Sequence, residues 1–241
     1  MEEAPHRATT LTDTVMATDS LLAQLRLVHL ISPTLPVGAF TYSQGLEWAI
    51  EHDWVRGETE LLAWIKNLLE TNMAHLEIPL LARLYKAALE SDSKAQKYWS
   101  HFLISSRETL ELRQEERNRG RALTALLPEL GIPVPREKLP LLKDCQLTGF
   151  AHAAHCWRIP LPLAAAGYVW GWLENITLAG IKIIPLGQTA GQKIIAALTA
   201  SIPEIVDIGL NVPDQEIGAS SPAQAIASSL HESQYTRIYR S

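Results

Sequence analysis

Apolar side chains recur every three to four residues along most of the chain, which is the spacing of an amphipathic helix. In "DSLLAQLRLVHLI" this spacing follows Asp19 and Ser20, either of which can cap a helix N-terminus. "LLAWIKNLLE" and "IPLLARLYKAAL" repeat it, the latter with Pro79 in its first turn. The predicted apolar positions of the first two of these helices are Leu21, Leu25, Val28, Leu30, Leu61, Trp64, Ile65 and Leu68.

Capping boxes and prolines divide the rest of the chain. Ser93 with Gln96 and Ser105 with Glu108 have capping-box spacing, and a proline-rich break covers 127–140. Apolar helical segments follow at 141–157, 162–182 and 187–201. Because no alternating strand pattern of useful length appears, we predict an all-α fold, a compact single-domain bundle of about eight to ten helices. The predicted divisions are a flexible N-terminus (1–18), a helical domain (19–210) and a C-terminal tail (211–241).

Composition limits the classes of function. Of the 241 residues 47% are hydrophobic, enough for a substantial core, and the net charge of -5 disfavours binding to nucleic acid through the overall field. Two cysteines without CxxC spacing, Cys145 and Cys156, favour reduced thiols. The N-terminus has no apolar signal segment, and the longest apolar stretch, 159–173, is too short to span a bilayer. We therefore expect a cytoplasmic protein that binds other proteins rather than membranes or nucleic acid.

The loop that precedes the helix at 42–50 has an unusual composition for a plain connection. Its prolines restrict the backbone to extended conformations, and Gly38 can supply a positive φ, so the loop is predicted to be stiff. Thr41 and Gln44 have capping-box spacing, which predicts a helix that begins at Tyr42. A rigid loop that presents Phe40 and its neighbours at a helix N-terminus suits recognition and supplies no catalyst.

The C-terminal segment "HESQYTRIYRS" is rich in aromatic residues, which is unusual for a free terminus. Tyr235, Ile238 and Tyr239 are spaced as one face of a short helix. Two interpretations stay open: this face packs on its own bundle, or the segment becomes ordered against a partner.

Three further patterns have a structural and a functional interpretation each. "GQTAGQK" lacks the spacing of a phosphate-binding loop, so its glycines are predicted to permit close helix packing or a tight entry after Pro185. Lys182, the only charge in "AGIKIIPL", either extends to water or contacts a partner or dimer surface. His152, His155 and Cys156 share one helix face and could meet a metal ion, but their apolar surroundings favour ordinary packing, and we assign no metal ligand.

The helix around 107–123 is predicted to carry opposite charges on opposite sides. Its glutamates and arginines form a solvated face, or else the arginines form a ridge toward an acidic partner and one of them acts on a bound nucleotide. The residues are Glu108, Glu111 and Glu115 on one side and Arg113, Arg117 and Arg121 on the other. No nucleophile elbow, paired-carboxylate site or metalloprotease motif is present in the sequence, so no catalytic residue is predicted.

Four separated blocks resemble one family. "LISPTLPVGAFTYSQGLEWAI" closely resembles the N-terminal signature of the UreF family of urease accessory proteins, although Ala39 and Thr41 replace a glycine and a serine. The resemblance continues at "TLELRQEERNRGRAL", "KIIPLGQTAGQ" and "HESQYTRIYRS" and covers nearly the whole chain after the first 18 residues. Glu116 stands where the family usually has a threonine.

The resemblance implies a non-enzymatic, typically dimeric helical protein of urease maturation. Such a protein bridges the GTPase UreG to UreD, also called UreH, so that nickel reaches apo-urease, and it can modulate the GTPase of UreG. Nickel and GTP are implied on the partners. The alternative is a nickel-carrying metallochaperone that uses His152, His155 and Cys156, with His231 as an additional ligand. The predicted partner-binding residues are Pro36, Gly38, Phe40, Tyr42, Ser43, Gln44, Glu47, Lys182, Pro185, Gly187, Gln188, Gln192, His231, Glu232, Gln234, Tyr235, Arg237, Tyr239, Arg240 and Ser241.

Overall fold

A computed structural model describes the backbone of residues 11–241 and the side chains from residue 19 onward. This part of the chain is helical and contains no strand, so the predicted all-α class is confirmed. It has twelve α-helices, more than expected, because six-residue helices such as α2 and α7 are too short to show a period. The helices are α1 (Leu11–Leu30), α2 (Leu46–Glu51), α3 (Glu58–Leu68), α4 (Ile78–Leu89), α5 (Ser93–Ser106), α6 (Leu110–Leu126), α7 (Leu139–Asp144), α8 (Gln146–Cys156), α9 (Leu161–Ile183), α10 (Gln188–Thr199), α11 (Ile202–Asn211) and α12 (Pro222–His231).

Several helices begin at residues other than those predicted. The segment 1–10 of the expected flexible N-terminus lies outside the described residues, whereas α1 already begins at Leu11, before Asp19 and Ser20. The Asp92 carboxylate, not Ser93, caps α5 by accepting hydrogen bonds from two amides. Thr109 rather than Ser105 caps α6, since α5 continues through Ser106. At the N-termini of α5 and α6, the oxygen of a neighbouring residue is therefore the one that reaches the free amides of the helix.

A π-helical stretch, Leu69–Glu77, joins α3 to α4. Pro79 near the start of α4 has no amide hydrogen, so it cannot donate to the carbonyl of His75 four residues earlier. That carbonyl instead accepts from the Gly218 amide at 2.9 Å. Pro79 therefore leaves the His75 carbonyl available to Gly218, and this hydrogen bond joins the segment before α12 to the π-helical stretch.

The long helix α9 runs through the core and is approached closely by its neighbours. A Cβ atom at Gly167 would lie 2.7 Å from the Leu27 side chain of α1, and one at Gly180 would lie 2.5 Å from the Leu61 side chain of α3. Only glycine leaves room for these leucines. The close packing predicted for the glycines of "GQTAGQK" is found at Gly191, where a Cβ atom would lie 2.9 Å from the Ile181 side chain of α9, but not at Gly187, where it would meet no atom within 4 Å. Within residues 11–241 no single helix is long and apolar enough to cross a membrane, although α10 and α11, bent by 45°, pass the same test as a pair.

The outer face of α1 is turned away from the core. Leu21, Leu25 and Val28 were expected to pack inward with Leu30, but all three are exposed, whereas Ala23, Leu27 and Leu30 are buried. The helix carries apolar residues on two sides, and a periodicity argument cannot tell which side meets the bundle. The result is an unpartnered apolar stripe on the surface.

Candidate functional site

The loop between α1 and α2 contains three residues with a left-handed backbone. Gly38 has a φ of 73°, Gln44 a φ of 54° and Gly45 a φ of 85°. Because Gln44 and Gly45 leave the helical region, the prediction that the helix begins at Tyr42 is wrong, and α2 begins at Leu46. A Cβ atom at Gly45 would lie 2.6 Å from the Ser228 amide nitrogen of α12, so glycine is required here by both conformation and space.

Gln44 fixes this loop from inside the protein. Its Nε2 atom donates to the Glu115 carboxylate at 3.1 Å, and its Oε1 atom accepts from Trp172 Nε1 at 2.9 Å. Arg119 also donates to Glu115 at 2.7 Å, although burial still raises the pKa of this carboxyl. The loop is thus joined to α6 and α9 through buried polar contacts.

A fully buried imidazole joins α12 to two glutamates. His231 Nδ1 lies 2.7 Å from Glu111 Oε2 of α6, and Nε2 lies 3.3 Å from Glu47 Oε2 of α2. Glu111 and His231 are 120 positions apart, and we found no local signal in the sequence for this contact. Glu111 is therefore a residue of the site that the sequence analysis missed.

The last residues of the chain fold back onto the loop. The amides of Ile238 and Tyr239 donate to the two oxygens of Glu47 at 2.7 and 2.9 Å. The Arg240 amide donates to the Thr41 carbonyl at 2.9 Å, and both the amide and the hydroxyl of Ser43 donate to the O atom of Ser241. Residues 238–241 consequently run alongside 41–43.

The conformation of this segment differs from the prediction. Residues 232–241 do not form a helix, so Tyr235, Ile238 and Tyr239 do not share one helix face. Tyr239 is buried, with the Lys182 ammonium 5.9 Å from its ring centroid, whereas Tyr235 and Ile238 are exposed. The segment therefore packs on its own bundle with one aromatic ring and presents another outward; whether a partner binds it stays a prediction.

Glu232 connects the C-terminal segment to the N-terminus of α6. Its Oε1 atom accepts from the Leu110 and Glu111 amides at 2.7 and 3.2 Å, so a carboxylate from the C-terminal segment caps the first turn of α6. A negative charge at a helix N-terminus also complements the helix dipole. The site brings together the loop, α2, α6, α12 and residues 232–241, and we call it the tail-docking site.

The predicted partner-binding residues divide into a buried set that builds the tail-docking site and a set with greater exposure. The buried residues are Tyr42, Ser43, Gln44, Glu47, His231, Tyr239 and Ser241. Gly38 and Gln234 are half-buried, and the exposed residues are Pro36, Phe40, Lys182, Pro185, Gly187, Gln188, Gln192, Glu232, Tyr235, Arg237 and Arg240. Ser43 and Gln44 therefore hold the loop in shape rather than facing solvent.

The charges of α6 do not form the simple solvated face that the sequence suggested. Glu111 and Glu115 are buried, and only Glu108 of that row is exposed. On the other row Arg113 donates to the Arg107 carbonyl at 2.6 Å, Arg117 lies 4.0 Å from Asp144, and Arg121 is exposed. Glu111 and Glu115 can be buried because cationic or amide groups, including groups from distant segments, donate hydrogen bonds to each carboxylate.

A second buried charge cluster stands beneath α6. Arg107 lies 3.0 Å from Glu77 Oε1 and 2.6 Å from Glu116 Oε1, and Tyr168 donates to Glu77 at 2.5 Å. The two carboxylates help to raise the pKa of Arg107 well above its usual value despite burial, which alone would lower it. Glu116, the position where the family usually has a threonine, thus has a defined role here: it shares the charge of Arg107.

The histidine and cysteine residues of α8 do not form a metal centre in this structure. His152 Nε2 lies 2.8 Å from the Pro133 carbonyl, Cys156 Sγ lies 3.7 Å from the same nitrogen, and the His155 ring contacts Tyr85. Burial lowers the pKa of His152. Among the residues that the structure describes, no three His, Cys, Asp or Glu side chains are placed to hold a metal ion.

Comparison with known proteins gives consistent matches. The model of the UreF family matches residues 55–199. A urease accessory protein UreF of Alcanivorax borkumensis is 46% identical over 228 residues, which cover 91% of this chain and 98% of that protein. The UreF proteins of Pseudomonas putida strain F1 and Citrobacter koseri are 47% and 43% identical, over 92% and 90% of this chain and 100% and 97% of their own lengths.

Proposed function

The chain belongs to the UreF family of urease accessory proteins, and on this basis we propose that it is a non-catalytic scaffold of urease maturation in the cytoplasm. It bridges UreD, or UreH, to the GTPase UreG, so that nickel is inserted into apo-urease in a GTP-dependent step. Nickel and GTP are bound by the partners. The scaffold modulates the GTPase of UreG rather than hydrolysing nucleotide itself.

The main support for this proposal is an exposed surface of apolar and basic side chains whose backbone is held in place by hydrogen bonds. Phe40 and Ile238 are 64% and 63% exposed, and Tyr235 is fully exposed. Aromatic residues and arginine are enriched in protein interfaces, where they supply most of the binding energy. Because the Glu47 and Thr41 contacts order residues 238–241 beforehand, a partner that binds here would lose little conformational entropy.

Charge favours an acidic partner at the rim of this surface. Arg237 and Arg240 are exposed on either side of Ile238 and Tyr239 in the chain, and exposed Lys182 lies 5.9 Å from the Tyr239 ring, although the whole chain has a net charge of -5. Cations at the rim of an interface speed association with a partner of opposite charge. We assign UreD to the C-terminal segment and the adjoining helices, and UreG to the platform that the complex creates.

We propose that a second copy of the chain binds to a different face of the protein. The outer stripe of α1, with Leu21, Leu25 and Val28, borders a groove of about 620 Å³ between α1, α9 and α11. Leu27, Trp170 and Ile202 line this groove, which is mainly apolar. A contiguous apolar surface of this kind marks an association site, and it supports the homodimer.

Co-elution with UreD and UreG on a sizing column with light scattering tests the proposal. The test variants are Ile238→Asp and a chain truncated after His231, and the matched control is Tyr98→Asp, an exposed aromatic on α5. We expect the full chain and the control to form a ternary complex and both test variants to lose it. Equal assembly by all four proteins would place the interface elsewhere, and no assembly by the full chain would remove the scaffold function.

A further inference from the structure

Glu174 places a carboxylate in the apolar groove between α1, α9 and α11. The residue is half-buried, and among the described residues no donor reaches its buried Oε2 atom. Burial raises the pKa of Glu174, because the charged form loses part of its hydration. The remaining hydration comes from water that enters the groove. A surface that covers the groove removes this water, so that surface must supply a donor in its place.

Among the side chains that line the groove, three carry hydrogen-bond donors. The Ser32 hydroxyl pairs with the Thr34 hydroxyl at 2.8 Å, and the Thr199 hydroxyl donates to the Ile195 carbonyl at 2.7 Å. The third donor is the indole Nε1–H of Trp170, which has no acceptor within the part of the chain that the structure describes. The same surface therefore holds a donor without an acceptor and a carboxylate without a donor.

Trp170 and Glu174 lie one turn apart on the face of α9 that lines the groove. A helix rises about 1.5 Å per residue, so the two positions are about 6 Å apart along its axis. In a two-fold dimer, a contact from residue i of one copy to residue j of the other is matched by the reverse contact. A two-fold axis that passes between the two positions therefore brings each indole N–H to the carboxylate of the other copy. The face is complementary to a second copy of itself in hydrogen bonding as well as in apolar surface.

We propose that Trp170 of each copy donates its indole N–H to Glu174 of the second copy, and that this reciprocal pair fixes how the two copies are aligned. The inference rests on the proposed homodimer and adds a specificity-determining contact to it. Apolar side chains of the groove stabilise association in more than one alignment, because apolar contacts have little directionality. An alignment that covers Glu174 without a donor is penalised by the unpaired carboxylate.

Sedimentation equilibrium of the full chain measures the dimer dissociation constant and tests this contact. Trp170→Phe keeps an aromatic ring but removes the N–H, which leaves two carboxylates covered without donors in each dimer. We expect the dissociation constant to rise by about a hundredfold or more, because the contact occurs twice and each hydrogen bond to a charged group is worth about tenfold or more. The matched control is Trp54→Phe, at a tryptophan that is 44% exposed and does not line the groove, which should leave the constant unchanged.

A double-mutant cycle separates the hydrogen bond from the loss of ring area. In a Glu174→Leu background, Trp170→Phe removes the same ring atoms but leaves no carboxylate unpaired. The same substitution should then raise the dissociation constant by less than about tenfold, because replacing both partners of a buried hydrogen bond by apolar groups is nearly neutral. Both side chains face the groove, so the variants should stay folded, and urea unfolding of each chain monitors this.

The outcomes distinguish the contact from the homodimer itself. A large loss with Glu174 present and a small loss in the Glu174→Leu background supports the reciprocal pair. Equal losses in both backgrounds, or no loss in either, overturn the pair and leave the homodimer in place. A wild-type chain that stays monomeric at its highest soluble concentration overturns the proposed homodimer and the pair together.

Discussion

Trp172 donates its indole Nε1–H to the Oε1 atom of Gln44 across 2.9 Å, and so fastens a loop residue with a φ of 54° to the central helix. The amide of the same side chain donates to the buried carboxylate of Glu115. The Gln44 side chain therefore supplies an acceptor for the Trp172 indole and a donor for the Glu115 carboxylate. It does so at the point where the loop leads into α2.

Replacement of Gln44 tests this connection. We expect Gln44→Leu to reduce the free energy of unfolding by about 1–3 kcal/mol, because Trp172 loses its acceptor and Glu115 loses a donor. The matched control is Gln114→Leu on the exposed side of α6, which should change stability by less than about 0.5 kcal/mol. Urea denaturation measures both, and equal values for the two variants would contradict the role given to Gln44.

Gly45 and Gly131 allow the cost of backbone conformation to be separated from the cost of a steric clash. Both have a positive φ, 85° and 74°, but a Cβ atom meets the α12 backbone at Gly45 and finds no atom within 4 Å at Gly131. We expect Gly131→Ala to cost about 1–2 kcal/mol from conformation alone. Gly45→Ala should cost about 1–3 kcal/mol more through the clash with Ser228, measured by thermal or urea unfolding. A smaller loss at Gly45 than at Gly131 would show that α12 can move away freely.

The two cysteines should differ in reactivity. Burial raises the pKa of Cys145 to about 12, whereas Cys156 is half-buried, with a pKa that burial also raises. Since the thiolate is the reactive form, we expect a thiol reagent at pH 8 to modify Cys156 slowly and Cys145 only after unfolding in urea. Counting modified thiols by mass spectrometry distinguishes the two, and rapid double modification of the folded protein would contradict the buried position of Cys145.

A nickel titration tests the carrier alternative. His152 Nε2 contacts the Pro133 carbonyl and both nitrogens of His231 face glutamates. Within the part of the chain that the structure describes, no three His, Cys, Asp or Glu side chains are placed to hold a metal ion. We expect calorimetry of the folded chain with nickel to show no tight stoichiometric site. A stoichiometric site that is lost in His155→Ala would establish the metallochaperone function instead.

The arginines of α6 have different contacts, so we expect different results when each is replaced. Arg113 is held by the Arg107 carbonyl, whereas Arg121 is exposed and contacts Asn118 at 2.6 Å. If the chain supplies an arginine to the nucleotide on UreG, Arg121→Ala should lower GTP turnover of the complex by about a thousandfold or more. Arg136→Ala, at an exposed arginine beyond α6, is the control, and unchanged turnover in a complex that still forms would exclude Arg121 from this role.

The helical class, most of the helices, the special character of the loop at 32–45 and the close packing at Gly191 could be predicted from the amino-acid sequence. These features depend on neighbours three or four positions away, on prolines and on glycine, all of which are visible along the chain. The family resemblance also follows from the sequence alone, because it rests on the residues in four separated blocks.

The positions of the polar residues of the site depend on contacts between segments that are far apart in the chain. Glu111 looked like part of a solvated face, and it became buried because His231 and Arg237, 120 and 126 positions away, supply its partners. Likewise α2 begins late because Gln44 and Gly45 leave the helical region, and Gln44 is held there by Glu115 and Trp172 from distant helices. A buried charge is stable only when its partners are brought to it, and segments so far apart in sequence are brought together by the packing of the whole bundle.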